Sequence, residues 1–172
     1  MLAFLSLNTT PSTIFTKLSV TITRRRHLTL IIPTTRQKRY FAVAKRQAAK
    51  STFSRHKISK KTDNVRIGSA IVKGNYVVSS GYNKSKTHPF QQLHNNRYMA
   101  HIPSPKIHAE IDALIYSRYD DLTGCEVFVY REMADGTLAN CKPCNACRSA
   151  MKDAGIRHIY YTTENGYHYE RI

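Results

Sequence analysis

His108-Ala109-Glu110, followed 33 residues after Glu110 by Pro143-Cys144-Asn145-Ala146-Cys147, is the pair of stretches on which the reading of this chain turns. One imidazole and two thiolates suit zinc, which takes nitrogen and sulfur ligands in tetrahedral geometry. Three protein ligands leave the fourth position to water, the arrangement of a catalytic rather than a structural site. A carboxylate two residues beyond the imidazole can take a proton from that water. His108, Cys144 and Cys147 are thus candidate zinc ligands and Glu110 the candidate proton carrier.

The local sequence predicts how these residues are held. Ser104-Pro105 ahead of Lys106–Arg118, and Pro143 ahead of Cys144–Ala154, read as two helix starts. Pro143 suits a first helical position, where its missing N–H costs nothing. Cys144 and Cys147, three apart, then share a helix face. His108 and Glu110 would lie about 200° apart on a regular helix. They serve one ion only if it sits beyond the first turn, near the axis.

Competing readings exist for each fragment. A lone His-x-Glu carries almost no information, and a lone Cys-x-x-Cys is equally a structural zinc site, a redox pair or chance. Cys141 and Cys144 repeat the same gap, and Cys141 as a fourth ligand would close the site. The open site is the stronger reading. Only the 144/147 pair follows a proline directly, and a closed site leaves Glu110 without a task.

Outward from the two motifs, short β-prone runs at Arg66–Val72 and Asn75–Ser80 flank Lys73-Gly74-Asn75, a hairpin signature. Lys106–Arg118 carries Ile107, Ile111, Ala113, Leu114 and Ile115 on a helical period. Cys125–Tyr130 and Ile156–Thr163 read as strands, and Gly155 stops the helix between them. Tyr40–His56, free of glycine and proline, reads as a first helix. Strands separated by helices imply an α/β domain with a parallel pair. Residues 40–172 make one domain of ordinary size.

Ile67-Gly68-Ser69-Ala70-Ile71-Val72, Gly81-Tyr82-Asn83, His108-Ala109-Glu110 and Pro143-Cys144-x-x-Cys147 together resemble the cytidine and deoxycytidylate deaminase superfamily, over about three quarters of the chain. The His-x-Glu and Pro-Cys-x-x-Cys pair is the signature of zinc nucleobase deaminases. The resemblance implies a three-layer α/β/α fold on a mixed sheet, in which an antiparallel hairpin joins parallel strands. It implies a Zn2+ cofactor and hydrolytic deamination of a free cytosine nucleotide or nucleoside to the uracil product. It also implies substrate contacts at Asn83 and the Ala109 backbone N–H, and homo-oligomerisation. Two features depart from the pattern: Lys142 before Pro143, and a long Lys84–Ser104 loop with His88, His94 and His101. A nucleic-acid base deaminase and a non-catalytic zinc-stabilised module are the alternative readings.

Side features admit two readings each. Asn83 is also a common turn residue after a strand. Lys84, Lys86 and His88 are candidates for a substrate phosphate or simply a solvated loop. Tyr160, Tyr161, Tyr167 and Tyr169 either stack on bases or line the two faces of a strand.

Charge is unevenly spread. The chain carries 27 Lys/Arg against 11 Asp/Glu, yet residues 1–62 hold fourteen of the basic residues and none of the acidic ones. From Asp63 onward the balance is only +2. A near-neutral domain disfavours polyanion binding, although a basic arm keeps that reading open. Residues 1–39, rich in Ser, Thr, Leu and Arg, have the composition of an organelle transit peptide, so mitochondrial localisation is expected, with a cytoplasmic enzyme the alternative. Met1–Phe15 is too broken by Ser and Thr to span a bilayer. Four cysteines, three near one motif, do not form a disulfide framework.

Overall fold

The computed structural model describes residues 29–51, 65–98, 106–118 and 121–172. Its first element is a short strand, β1 (Thr29–Ile31), followed by helix α1 (Thr35–Ala48). A capping box starts that helix: the Gln37 N–H donates to Thr34 Oγ1 at 3.3 Å and the Thr34 N–H donates to Gln37 Oε1 at 2.9 Å. The helix therefore begins ahead of the expected Tyr40 and ends at Ala48; residues 52–56 of the expected helix lie outside the described residues. Of the 1–39 extension, residues 1–28 also lie outside them, while Thr29–Arg39 supply β1 and the start of α1.

The hairpin follows as β2 (Ile67–Lys73) and β3 (Tyr76–Tyr82), with Gly74 at φ +57°, a left-handed turn position that favours glycine. The expected Lys84–Ser104 loop contains structure: β4 (Lys84–Thr87) and helix α2 (Pro89–Tyr98). Next come β5 (Lys106–Ile107), α3 (Ala109–Ser117), β6 (Cys125–Arg131), α4 (Asn145–Asp153), β7 (His158–Thr163) and β8 (Gly166–Arg171). Six strands form one mixed sheet in the order β1-β8-β7-β6-β2-β3; β6 and β7 are parallel and the other neighbours antiparallel. β4 and β5 form a separate small pair.

Side chains alternate across this sheet with the period of two that a strand imposes. Ala70, Val72, Phe128 and Tyr130 face α1, where Tyr40, Phe41 and Ala44 cover them. Ile71, Val127, Val129, Ile159 and Tyr161 face α3 and α4. This is the expected three-layer α/β/α arrangement. Tyr161 is fully buried and Tyr160 stacks on Phe128 at 4.6 Å, so these tyrosines belong to the sheet and its packing.

Two glycines let the layers close. A Cβ on Gly68 would run into the Ala44 and Ala48 backbone of α1. One on Gly81 would lie 2.6 Å from the Ala109 carbonyl oxygen and closer still to the Ala113 nitrogen. Helix α3, which carries Glu110, thus rests directly on the backbone of β3.

Candidate active site

Both helix starts lie later than the sequence suggests, α3 by three residues because Lys106–Ile107 form β5 and α4 by one, and this resolves the geometry of the site. His108 is the N-cap of α3 (φ −82°, ψ 154°) and Cys144 the N-cap of α4 (φ −67°, ψ 167°). Each has extended backbone, and neither side chain caps its own helix. His108 therefore escapes the helical wheel that would have turned it away from Glu110. Pro143 precedes the cap and is not the first helical residue, while Cys147 sits in the first turn of α4.

The imidazole and the two sulfurs converge. His108 Nδ1 lies 3.3 Å from Cys147 Sγ and 3.5 Å from Cys144 Sγ, and the three ligand atoms all fall within 4.8 Å of one another. Zinc–nitrogen and zinc–sulfur bonds of about 2.0 and 2.3 Å at tetrahedral angles give an N···S edge of about 3.5 Å. The donor set therefore fits zinc in chemistry and in spacing. Cys144 is drawn down to about 4, first by hydrogen bonding from Cys147 and then, against the cost of burial, by His108. Burial holds Cys147 well above the usual thiol range, as does donating to Cys144. A thiolate beside a thiol is the poise of a site ready to bind a cation.

Cys141 does not join them. Its sulfur lies 3.2 Å from Thr162 Oγ1, and burial pushes its thiol up to about 12. Among the described residues, His108, Cys144 and Cys147 are the one cluster of His, Cys and acidic groups able to hold an ion. His94, from the long loop, is buried at 4.0 Å from Asp153 instead; His101 lies outside the described residues.

Glu110, in the first turn of α3, is buried, and that burial raises its carboxyl to about 7 against the lowering effect of His108. It opens onto a cavity of about 230 Å³ shared with His108, Ala109, Cys144 and Asn83. Ala109 is the first residue of α3, so its N–H has no partner within the helix and is available to a ligand. Asn83 is partly committed: its Nδ2 donates to the Val65 carbonyl at 2.6 Å and its Oδ1 accepts from the Ile67 N–H at 2.9 Å. One amide hydrogen and one lone pair remain for a ligand.

Lys106 and Lys142 line the same cavity, and Lys142 Nζ also pairs with Glu170 at 3.4 Å. The lysine marked for phosphate, Lys84, is spent elsewhere: its Nζ sits 2.6 Å from Asp112 Oδ1, over the rings of Tyr82 and Tyr116. His88 Nδ1 accepts from the Phe90 N–H at 3.1 Å and so serves the start of α2. Sequence reasoning missed Gln91, whose Oε1 accepts from the His108 N–H at 3.0 Å. The signal was the Gln91/Asn95 pair, one helical turn apart in a segment read as loop.

No helix among the described residues is long and apolar enough to cross a membrane. Residues 36–163 match the family model for the cytidine and deoxycytidylate deaminase zinc-binding region. No curated protein matches the chain. Among solved structures, the chain is similar to dCMP deaminase from the cyanophage S-TIM5. The apo form is 21% identical with a TM-score of 0.46, and the match covers 72% of this chain and 79% of that one. The form in complex with dCMP and dUMP is 19% identical with a TM-score of 0.48, covering 76% and 83%. RibD of Acinetobacter baumannii is 20% identical with a TM-score of 0.43, and the match covers 73% of this chain and 27% of RibD.

Proposed function

The chain belongs to the cytidine and deoxycytidylate deaminase family, and on that premise we propose that it is a zinc-dependent hydrolase converting a free cytosine nucleotide to the uracil nucleotide and ammonia. The observation that carries this reading is the convergence of His108 Nδ1 on the sulfurs of Cys144 and Cys147 at 3.5 and 3.3 Å, with buried Glu110 opening onto the same cavity. His108, Cys144 and Cys147 would hold the zinc, which when bound would lower the pKa of a water enough to supply a nucleophile near neutral pH.

The protein groups do the rest. Glu110 accepts the water proton as oxygen adds to C4 of the ring and delivers it to N3 beside it. It then carries the second proton to the departing amine, the C4–N bond breaks, and ammonia leaves. A carboxyl raised to about 7 suits traffic in both directions near neutrality. The free Ala109 N–H is placed to hold the ring carbonyl, and the remaining donor of Asn83 to hold ring or sugar. Lys106 at the same cavity, with Lys142 shared with Glu170, favours a phosphorylated substrate over a nucleoside.

Ammonia release, measured with the zinc-loaded full chain over cytosine, cytidine, deoxycytidine, CMP, dCMP and a deaminable RNA, tests this reading. Turnover of a nucleotide well ahead of its nucleoside supports it. Turnover of the RNA alone moves the assignment to nucleic-acid editing, and no turnover at one zinc per chain favours a binding module. The basic start of the chain further leads us to propose mitochondrial import. A fluorescent fusion of residues 1–40 that stays diffuse in the cytosol would overturn that part.

A further inference from the structure

Helix α2 is built the wrong way round for a packing element. It buries Gln91, His94 and Asn95 at 0%, 3% and 2% exposure, while Leu93 is 44% exposed. Buried amides cost free energy unless they are hydrogen-bonded, so a helix that turns them inward is held there by what they bond. Gln91 bonds at both ends: its Oε1 accepts from the His108 N–H at 3.0 Å and its Nε2 donates to Asn95 Oδ1 at 2.8 Å.

The N–H that Gln91 takes belongs to an N-cap residue, so α3 itself offers it no carbonyl. The His108 carbonyl accepts from the Asp112 N–H at 2.9 Å and its ring faces two sulfurs, so its own N–H is the backbone group left for another element to hold. A short strand, β5, leads into it, and residues 99–105 before that lie outside the described residues. The amide of Gln91, bonded to Asn95 one turn along, holds the N–H side of the His108 peptide, as Asp112 holds its carbonyl. The orientation of that peptide sets the direction in which Nδ1 points.

We propose that Gln91, anchored by Asn95, is a positioning residue that orients His108 for the metal. This rests on the reading of His108 as a zinc ligand. Groups that orient a ligating histidine typically change metal affinity by roughly 10- to 100-fold when removed.

The experiment is a competitive zinc titration, with cobalt(II) absorption as a second readout, on the full chain and three variants. The wild type must bind one zinc; if it binds none, the zinc reading itself fails, independently of Gln91. Gln91→Leu removes the acceptor and should bind zinc roughly 10- to 100-fold more weakly with shifted cobalt bands. Gln91→Glu keeps an acceptor in place and should restore most of the affinity. Tyr130→Phe, on the opposite face of the sheet, should melt earlier with unchanged zinc affinity, which separates positioning from general stability. Wild-type affinity and cobalt bands in a folded Gln91→Leu would overturn the proposal. Should Gln91→Leu not fold, exchange of the His108 amide in the unmutated zinc-free protein decides. Strong protection supports the bond that His108 donates to Gln91, and exchange at the rate of a free amide refutes it.

Discussion

Gly81→Ala tests the link between fold and chemistry most sharply, because it adds one methyl group outside the cavity. The new Cβ would lie 2.6 Å from the Ala109 carbonyl oxygen, about 0.8 Å inside ordinary contact, with the Ala113 nitrogen closer still. Both obstacles are backbone of α3, so no side chain can swing aside; the helix must lift from β3 by something near 1 Å. Overpacking of this kind costs about 1–3 kcal/mol, more where backbone must move. The displaced helix carries His108 at its cap and Glu110 in its first turn, and a 1 Å error at reacting groups can cost about 10²-fold in rate. Denaturant unfolding gives the first quantity and ammonia release per folded, zinc-loaded chain the second. A Gly81→Ala protein with wild-type stability and rate would refute the claim that α3 rests on the β3 backbone.

Other consequences follow from named contacts. Cys141→Ala should leave zinc stoichiometry at one per chain by elemental analysis, since that sulfur faces Thr162; loss of the metal would make Cys141 a ligand. Zinc binding should release about one proton or more at neutral pH, because Cys147, held protonated by burial, must ionise. Affinity should therefore weaken as pH falls, and a calorimetric enthalpy independent of buffer ionisation would contradict this. Lys84→Met strands the buried carboxylate of Asp112, keeping only the Tyr82 N–H at 3.1 Å. It should cost roughly 3–5 kcal/mol by denaturant unfolding, and the double change Lys84→Met with Asp112→Leu clearly less. Equal losses in the two would show that the pair is not coupled.

What could be read from sequence was the chemistry and the alternation. The His108, Glu110, Cys144 and Cys147 set, the hairpin about Gly74 and the β6–α4–β7 unit all carry local signals: ligand spacing, a turn glycine, and periods of two and 3.6. The helix starts were harder. Proline marks a helix entrance without stating which residue caps it, and His108 can meet Glu110 because it is the cap rather than a residue inside the helix. Helix α2 shows no hydrophobic period because its buried side is made of amides and an imidazole, and the Gln91/Asn95 spacing is its one local signal. β1 is held in the sheet by β8 alone, its three residues pairing with Tyr167–Tyr169, and a strand that short carries no period of its own. The capping box of α1, Thr34 to Gln37, is legible as Thr-x-x-Gln. Lys84 looked free in sequence; only the fold brings Asp112 to it.

The account stands on a zinc ion held by His108, Cys144 and Cys147 with Glu110 moving the protons. Its most direct test is ammonia release from dCMP by the full chain and by Glu110→Gln, at equal and verified zinc content. One zinc in each protein and a rate about 10²–10⁴-fold lower in the variant are expected. Equal rates, or a wild-type chain that takes up no zinc, would contradict it.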